Sequence, residues 1–173
     1  MAAEAMKDQG LHVEIDSKEV EEMLNMFMSK VKNPKPLMKV VRRYVNAVTM
    51  KMFHGPRPDT GGVRGVKWPK LAESTRWAKA AARKRGAAIE TNRPLVRTGE
   101  MRDSIKVLRE DAQGGFVYGT NVRSKKGFLY PGIHNTGGNP NPPQRKWLFL
   151  TGLDLRQLTQ FAIDHVLGKI KLD

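Results

Sequence analysis

The apolar residues of this chain change period along its length, and that constrains its fold more than any other feature. From residue 20 to residue 53 they recur at every third or fourth position. Val20, Met23, Leu24, Phe27 and Val31 lie on one stripe, which predicts a helix over 17–31 with that stripe buried. Leu37, Val40, Val41, Tyr44, Val45, Val48 and Met52 share a face of a second helix over 36–53. Asn33-Pro34-Lys35-Pro36 separates the two, because proline lacks a backbone donor and restricts the residue before it. Between 87 and 150 the pattern shifts to alternation. Residues 105–109 and 116–120 read as a hairpin closed by a turn over Asp111–Gly115, and 146–150 reads as a third strand. Helical spacing returns after Thr151, where Thr151 and Asp154 have capping-box spacing and Leu155, Leu158, Phe161, Ala162, Val166 and Ile170 make a stripe.

The punctuation fits this reading. Residues 54–70 hold four glycines and three prolines, a loop long enough to expect a functional role or disorder. Gly61, Gly62 and Gly65 are not a phosphate loop, since no Gly-Lys-Ser/Thr follows them. A third helix is expected over 72–85, carried by Ala78, Ala80, Ala81 and Ala82 and closed by Arg83-Lys84-Arg85-Gly86. Thr98–Ser104 reads as one capped helical turn, and alternation at Leu11, Val13 and Ile15 as a short strand. The expected fold is α+β: a small antiparallel sheet packed against several helices, with long loops and a C-terminal helix. An arm over 1–35 carries a strand and a helix, and a basic α+β body follows over 36–173.

Charge divides along the same line. The chain carries +14, yet residues 1–29 hold seven acids against two bases, leaving twenty-nine bases against ten acids on the rest. A body of that sign attracts polyanions: DNA, RNA, an acidic membrane or an acidic protein face. Arg83, Lys84, Arg85, Arg123, Lys125 and Lys126 are the candidate contacts, although cations also suit a helix C-terminus such as 83–85.

Catalytic chemistry is hard to find. With no cysteine the chain has no disulfide, zinc knuckle or thiol nucleophile. The histidines at 12, 54, 134 and 165 lack metal-ligand spacing, and no serine sits in a nucleophile elbow, so neither metal nor cofactor is expected. Glu100 and Asp103 are three apart, but neighbouring Arg102 makes ion pairing the simpler role. His134 is read as bonding a tight turn. An enzyme is not expected. Met1–Gly10 has no signal-peptide pattern, and no apolar run approaches the ~18 residues of a membrane span.

Five segments then occur in order: Trp68-Pro69-Lys70-Leu71 with Thr75, Pro94–Ile105, Tyr118–Asn121, Ile133–Gly138, and Pro143–Leu150. Their sequence resembles the phage virion morphogenesis family, the Mu G-like tail completion proteins. The resemblance covers about 50–170 and rests on Trp68, Leu71, Thr75, Leu95, Thr98, Gly99, Ser104, Ile105, Gly119, Thr120, Ile133, His134, Gly137, Gly138 and Leu148. Met101 stands where that family has leucine, Asn135-Thr136 replaces glutamine and an aromatic, and Gln144–Trp147 replaces Ala-Arg-Pro-Phe. The interval from Thr120 to Tyr130 is longer, which implies an enlarged basic loop.

The resemblance implies a structural virion protein at the head–tail junction, in the neck or upper tail. It would be a ring subunit, commonly one of six, that completes the tail and joins it to the head connector around a channel for the genome. Its partners would be other copies of itself, the connector or portal-side protein, and the tail tube or tail terminator, with transient sequence-independent contact with DNA. It would be made in the host cytoplasm. In that setting Thr98-Gly99 permits a sharp turn, Trp68, Leu71 and Trp77 pin the long loop and third helix to the sheet, and Gly137-Gly138 reverses the chain. The acidic segment 1–29 would dock on a neighbour's basic body. The alternative is a nonspecific basic nucleic-acid-binding protein acting as a monomer.

Overall fold

The computed structural model describes residues 17–54, 66–138 and 142–170. The expected strand at 11–15, the Gly61, Gly62 and Gly65 cluster and most of the first long loop lie outside the described residues. Helices α1 (Ser17–Lys32) and α2 (Lys35–Phe53) are separated at Asn33 and Pro34, with Pro36 in the first turn of α2. A proline there loses only a donor that a first turn leaves unpaired in any case. Next come α3 (Glu73–Lys84), the single turn α4 (Glu100–Asp103), strands β1 (Lys106–Glu110) and β2 (Phe116–Gly119), α5 (Tyr130–Thr136) and α6 (Gly152–Val166). The α+β class holds: a two-stranded antiparallel sheet accompanies six helices among the described residues.

The hairpin closes where Asp111 and the glycines place it. The Asp111 carboxylate accepts hydrogen bonds from the backbone of Gln113 (3.0 Å) and Gly115 (2.8 Å), an Asx-type closure. Val107 pairs with Tyr118 but Arg109 with Val117, so the register slips at Leu108. Such a bulge bends the ribbon. The hairpin is tied to α2, where the Tyr118 hydroxyl donates to the Asn46 side chain (2.7 Å) and Arg42 pairs with Glu110 (3.0 Å).

Helix α6 joins α2 through its own cap. Thr151 and Asp154 form the expected reciprocal capping box. Asp154 is buried, and its other carboxylate oxygen accepts from the Tyr44 hydroxyl at 2.7 Å. Tyr44 also meets Phe161 edge to face. At the far end of α6, the buried His165 Nε2 lies 3.0 Å and 3.1 Å from the Lys30 and Asn33 carbonyls, which fastens the end of α1. The expected α6 stripe is incomplete, because Leu155 is exposed and the helix buries its two polar anchors instead.

The core sits where the loops meet. Met52 and Phe53 end α2 and pack with Trp68, Val96, Met101, Ile105 and Trp147. Phe53 meets Trp68 edge to face at 5.7 Å, and Trp147 packs against it at a tilt, with ring centroids 6.2 Å apart. Both indole N–H groups are satisfied: Trp68 donates to the Lys146 carbonyl (2.8 Å) and Trp147 to that of Pro131 (3.0 Å). A buried tryptophan needs such a partner.

Three expectations fail here. Residues 146–150 are not a strand. The Asn135 side chain takes the place of a neighbouring strand: its Oδ1 accepts from Trp147 N (2.9 Å) and Leu148 N (3.1 Å), and its Nδ2 donates to the Leu148 carbonyl (3.3 Å). Trp77 does not pin α3, since it is 73% exposed. The α1 stripe is not buried either, because Met23, Leu24 and Val31 are exposed in this chain and Phe27 alone of the four is half-buried.

Candidate functional site

The segment 87–99 runs between two adjoining clefts and forms a wall of each. The larger has a volume of about 1400 Å³ and the smaller about 590 Å³. Leu71, Thr75, Leu95, Thr98, Gly99 and His134, which carry the family resemblance, all line the larger one. They come from stretches as far apart as 71 and 134, so the fold gathers motif residues that the sequence scatters.

What holds this wall in place is a buried lysine. Lys79 projects from α3 and its ammonium donates to three carbonyls, Glu90 O and Arg93 O at 2.8 Å and Val96 O at 3.2 Å. An ammonium has three donors, and three carbonyls use them all. Burial, and secondarily Arg97, lowers its pKa from 10.5 to about 8, against the pull of Glu90. The turn it organises contains Leu95 at φ 60°, a left-handed conformation that costs a side-chain-bearing residue ~1–2 kcal/mol. The carbonyls of Arg93 and Val96 flank Leu95, so the Lys79 bonds offset that strain.

A second buried cation closes the other side. The Arg145 guanidinium donates to the carbonyls of Pro69 (3.2 Å) and Lys70 (3.3 Å), and its own backbone N–H donates to His134 O (2.7 Å). This binds the Trp68–Leu71 motif to the 143–150 motif. His134 lies in α5, not in a tight turn, and its buried Nδ1 has no hydrogen-bond partner. Burial and then the nearby Arg145 lower its pKa, which favours the neutral ring. Tyr130 meets the imidazole edge to face.

Backbone constraints account for other motif positions. Gly99 has φ 84° at the start of α4, and a Cβ there would lie 2.8 Å from Asp103 Oδ2. Gly137 ends α5 at φ 85°, against Gln144. Gly138 N donates to Pro142 O (2.8 Å) across the loop. The Ser104 and Thr120 hydroxyls share a 2.6 Å hydrogen bond that joins α4 to the end of β2. Ile105 is core, Gly119 is buried in β2, and Ile133 and Leu148 are half-buried. Arg102 holds Asp103 through two hydrogen bonds (2.6 and 3.1 Å), the ion pair expected there.

The six candidate polyanion contacts are all exposed but do not form one cluster. Lys125 lines the larger cleft beside Lys70, Arg97 and Glu100, whereas Arg83 lines the smaller with Arg93, Arg97 and Arg102. Arg97 faces both. Arg123 folds back to donate to Gly127 O (2.8 Å), while Lys84 and Arg85 close α3 outside either cleft. Basic side chains line both clefts, together with Glu100 in the larger and Glu90 in the smaller. Sequence inspection missed Lys79, Arg145 and Asn135, whose partners are eleven to seventy-six residues away.

Among the described residues no group of His, Asp or Glu has the arrangement of a metal site, and no helix is long and apolar enough to cross a membrane. No family model, curated protein or solved structure matches this chain.

Proposed function

We propose that this chain is a structural subunit of a phage head–tail junction, a ring component that completes the tail and joins it to the head connector around a channel for DNA. The observation that carries this reading is the convergence of the five ordered motifs. Trp68, Ile105 and Trp147 share one core, and residues of four motif segments surround one cleft. Exposed apolar helix faces and a basic surface also suit a subunit that works by shape and charge. In this reading contacts with DNA are to phosphate and blind to sequence, because the genome has to slide.

Localising the chain by electron microscopy in purified particles tests the proposal. It should appear as a collar between head and tail, and its loss should leave filled heads and tails unjoined. A mature particle that contains none of it would overturn the reading. The excess of basic residues favours a second reading, a monomeric nonspecific nucleic-acid binder. Nanomolar affinity of a monomer for DNA, with steep salt dependence, would favour that alternative.

A further inference from the structure

Among the described residues two helix faces are open to solvent, and they match one another. On α1, Leu24, Met28 and Val31 are all more than half exposed. Helical spacing places them in one row with Glu21 at its start and Lys32 beside its end. On α3, Trp77 and Ala81 lie in one row with Glu73 at its start and Lys84 at its end, and all four are exposed. Lys79 and Ala82 occupy the opposite, buried side of α3. Each row runs eleven residues from one charge to the other, about 16 Å of helix.

Antiparallel apposition satisfies both rows together. Glu21 then meets Lys84, and Lys32 meets Glu73. Three residues in, Leu24 faces the small Ala81. Seven residues in, Met28 faces Trp77, the pairing of a polarizable sulfur with an indole. Parallel apposition would set Glu21 against Glu73 and Lys32 against Lys84. A large residue faces a small one, and unlike charges close both ends.

We infer that α1 of one copy docks antiparallel on α3 of the next copy, with Trp77 as the anchor. The opposite charges at both ends and the large-to-small match between the rows make a second copy the occupant of each face. Two different faces of one subunit make a heterologous contact, which repeats head to tail and closes into a ring when the rotation permits. Tryptophan is a residue type that carries interface energy, and the charges set orientation. The biological setting rests on the junction reading above, but the contact is testable on purified protein.

The test uses the full-length chain in sedimentation experiments. Wild-type protein should assemble. Trp77→Ala should raise the dissociation constant about thirtyfold, the loss expected of an interface anchor. Glu21→Lys and Lys84→Glu should each weaken assembly, and the double variant should recover it. Met28→Lys and Trp77→Lys should each be monomeric with unchanged circular dichroism, since both positions are exposed. Mixed in equal amounts, they should form one-to-one dimers that grow no further, because only one intact face of each kind remains. A monomeric wild type, a Trp77→Lys protein that assembles normally, or a mixture that stays monomeric would overturn the contact. Assembly blocked by Met28→Lys alone would mean that α1 pairs with itself. Rings that form as described from a chain absent from phage particles would sink the junction reading and leave the contact standing.

Discussion

Replacing Lys79 by methionine tests what holds the cleft together. Methionine keeps the apolar stem of lysine and ends one atom short of the ammonium, with no donor, so three carbonyls lose their partner. The Val96 bond is buried, and an orphaned buried carbonyl costs ~1–3 kcal/mol. The Glu90 and Arg93 bonds are only part-buried, so water can replace the ammonium there at about 0.5 kcal/mol each. The variant no longer desolvates a charge, which offsets a fraction of this. A net loss of about 2 kcal/mol is expected, lowering the melting temperature by roughly 4–8 °C for a domain of this size. Chemical denaturation supplies the free energy, and hydrogen exchange should show lost protection at the Glu90 amide, which bonds Arg97 O across the turn. The pH dependence adds a signed check. Lys79 titrates near 8 when folded and 10.5 when unfolded, so between those values the native state holds fewer protons. Its linkage therefore makes stability rise with pH over that window, and the margin of wild type over Lys79→Met should widen from pH 8 to 10. A variant within 0.5 kcal/mol of wild type, as ordinary surface substitutions are, or a margin that narrows with pH, would refute the account.

Three other substitutions test the local claims. Gly99→Ala should cost about 1–2 kcal/mol in denaturant melts, because alanine is strained at φ 84° and its Cβ would crowd Asp103. Asn135→Ala should cost ~2–4 kcal/mol and expose Trp147, seen as a red-shifted fluorescence, since the backbone of 147–148 loses three side-chain hydrogen bonds. Asp154→Ala should cost ~1–3 kcal/mol by removing the α6 cap and the Tyr44 bond, whereas Asp154→Asn should recover part of that loss.

The sequence was most legible where a feature answers to its near neighbours. Proline fixed the α1–α2 break, Thr151 and Asp154 fixed the start of α6, and Asp111 with two glycines fixed the hairpin turn. The α2 face was readable too, down to buried Val48 and Met52. Legibility failed where a distant group decides the outcome. Lys146–Leu150 has the composition of a strand, but a strand needs a partner ladder, and here a side-chain amide from α5 takes that role. Nothing near 147 in sequence reveals it. Lys79 reads as one more charge on a basic helix until carbonyls eleven to seventeen residues on surround it. Trp77 and the α1 stripe failed for a different reason. Apolar character gives the advantage of burial but not the surface that supplies it, and periodicity cannot say whether that surface belongs to the same chain.

That distinction bears on where contacts should be sought. The motif positions are occupied with architecture: Trp68 and Ile105 in the core, Gly99 and Gly137 at left-handed turns, Ser104 bonded to Thr120. Even His134 passes its carbonyl to Arg145 and so joins two loops. A residue already committed inside its own subunit has little left to offer a partner. Exposed apolar side chains with no partner in their own subunit lie instead on the open rows of α1 and α3. If assembly uses those helices, replacing Leu24, Met28 and Trp77 together by polar residues should abolish it without disturbing the Phe53–Trp68–Trp147 cluster, because all three side chains are exposed.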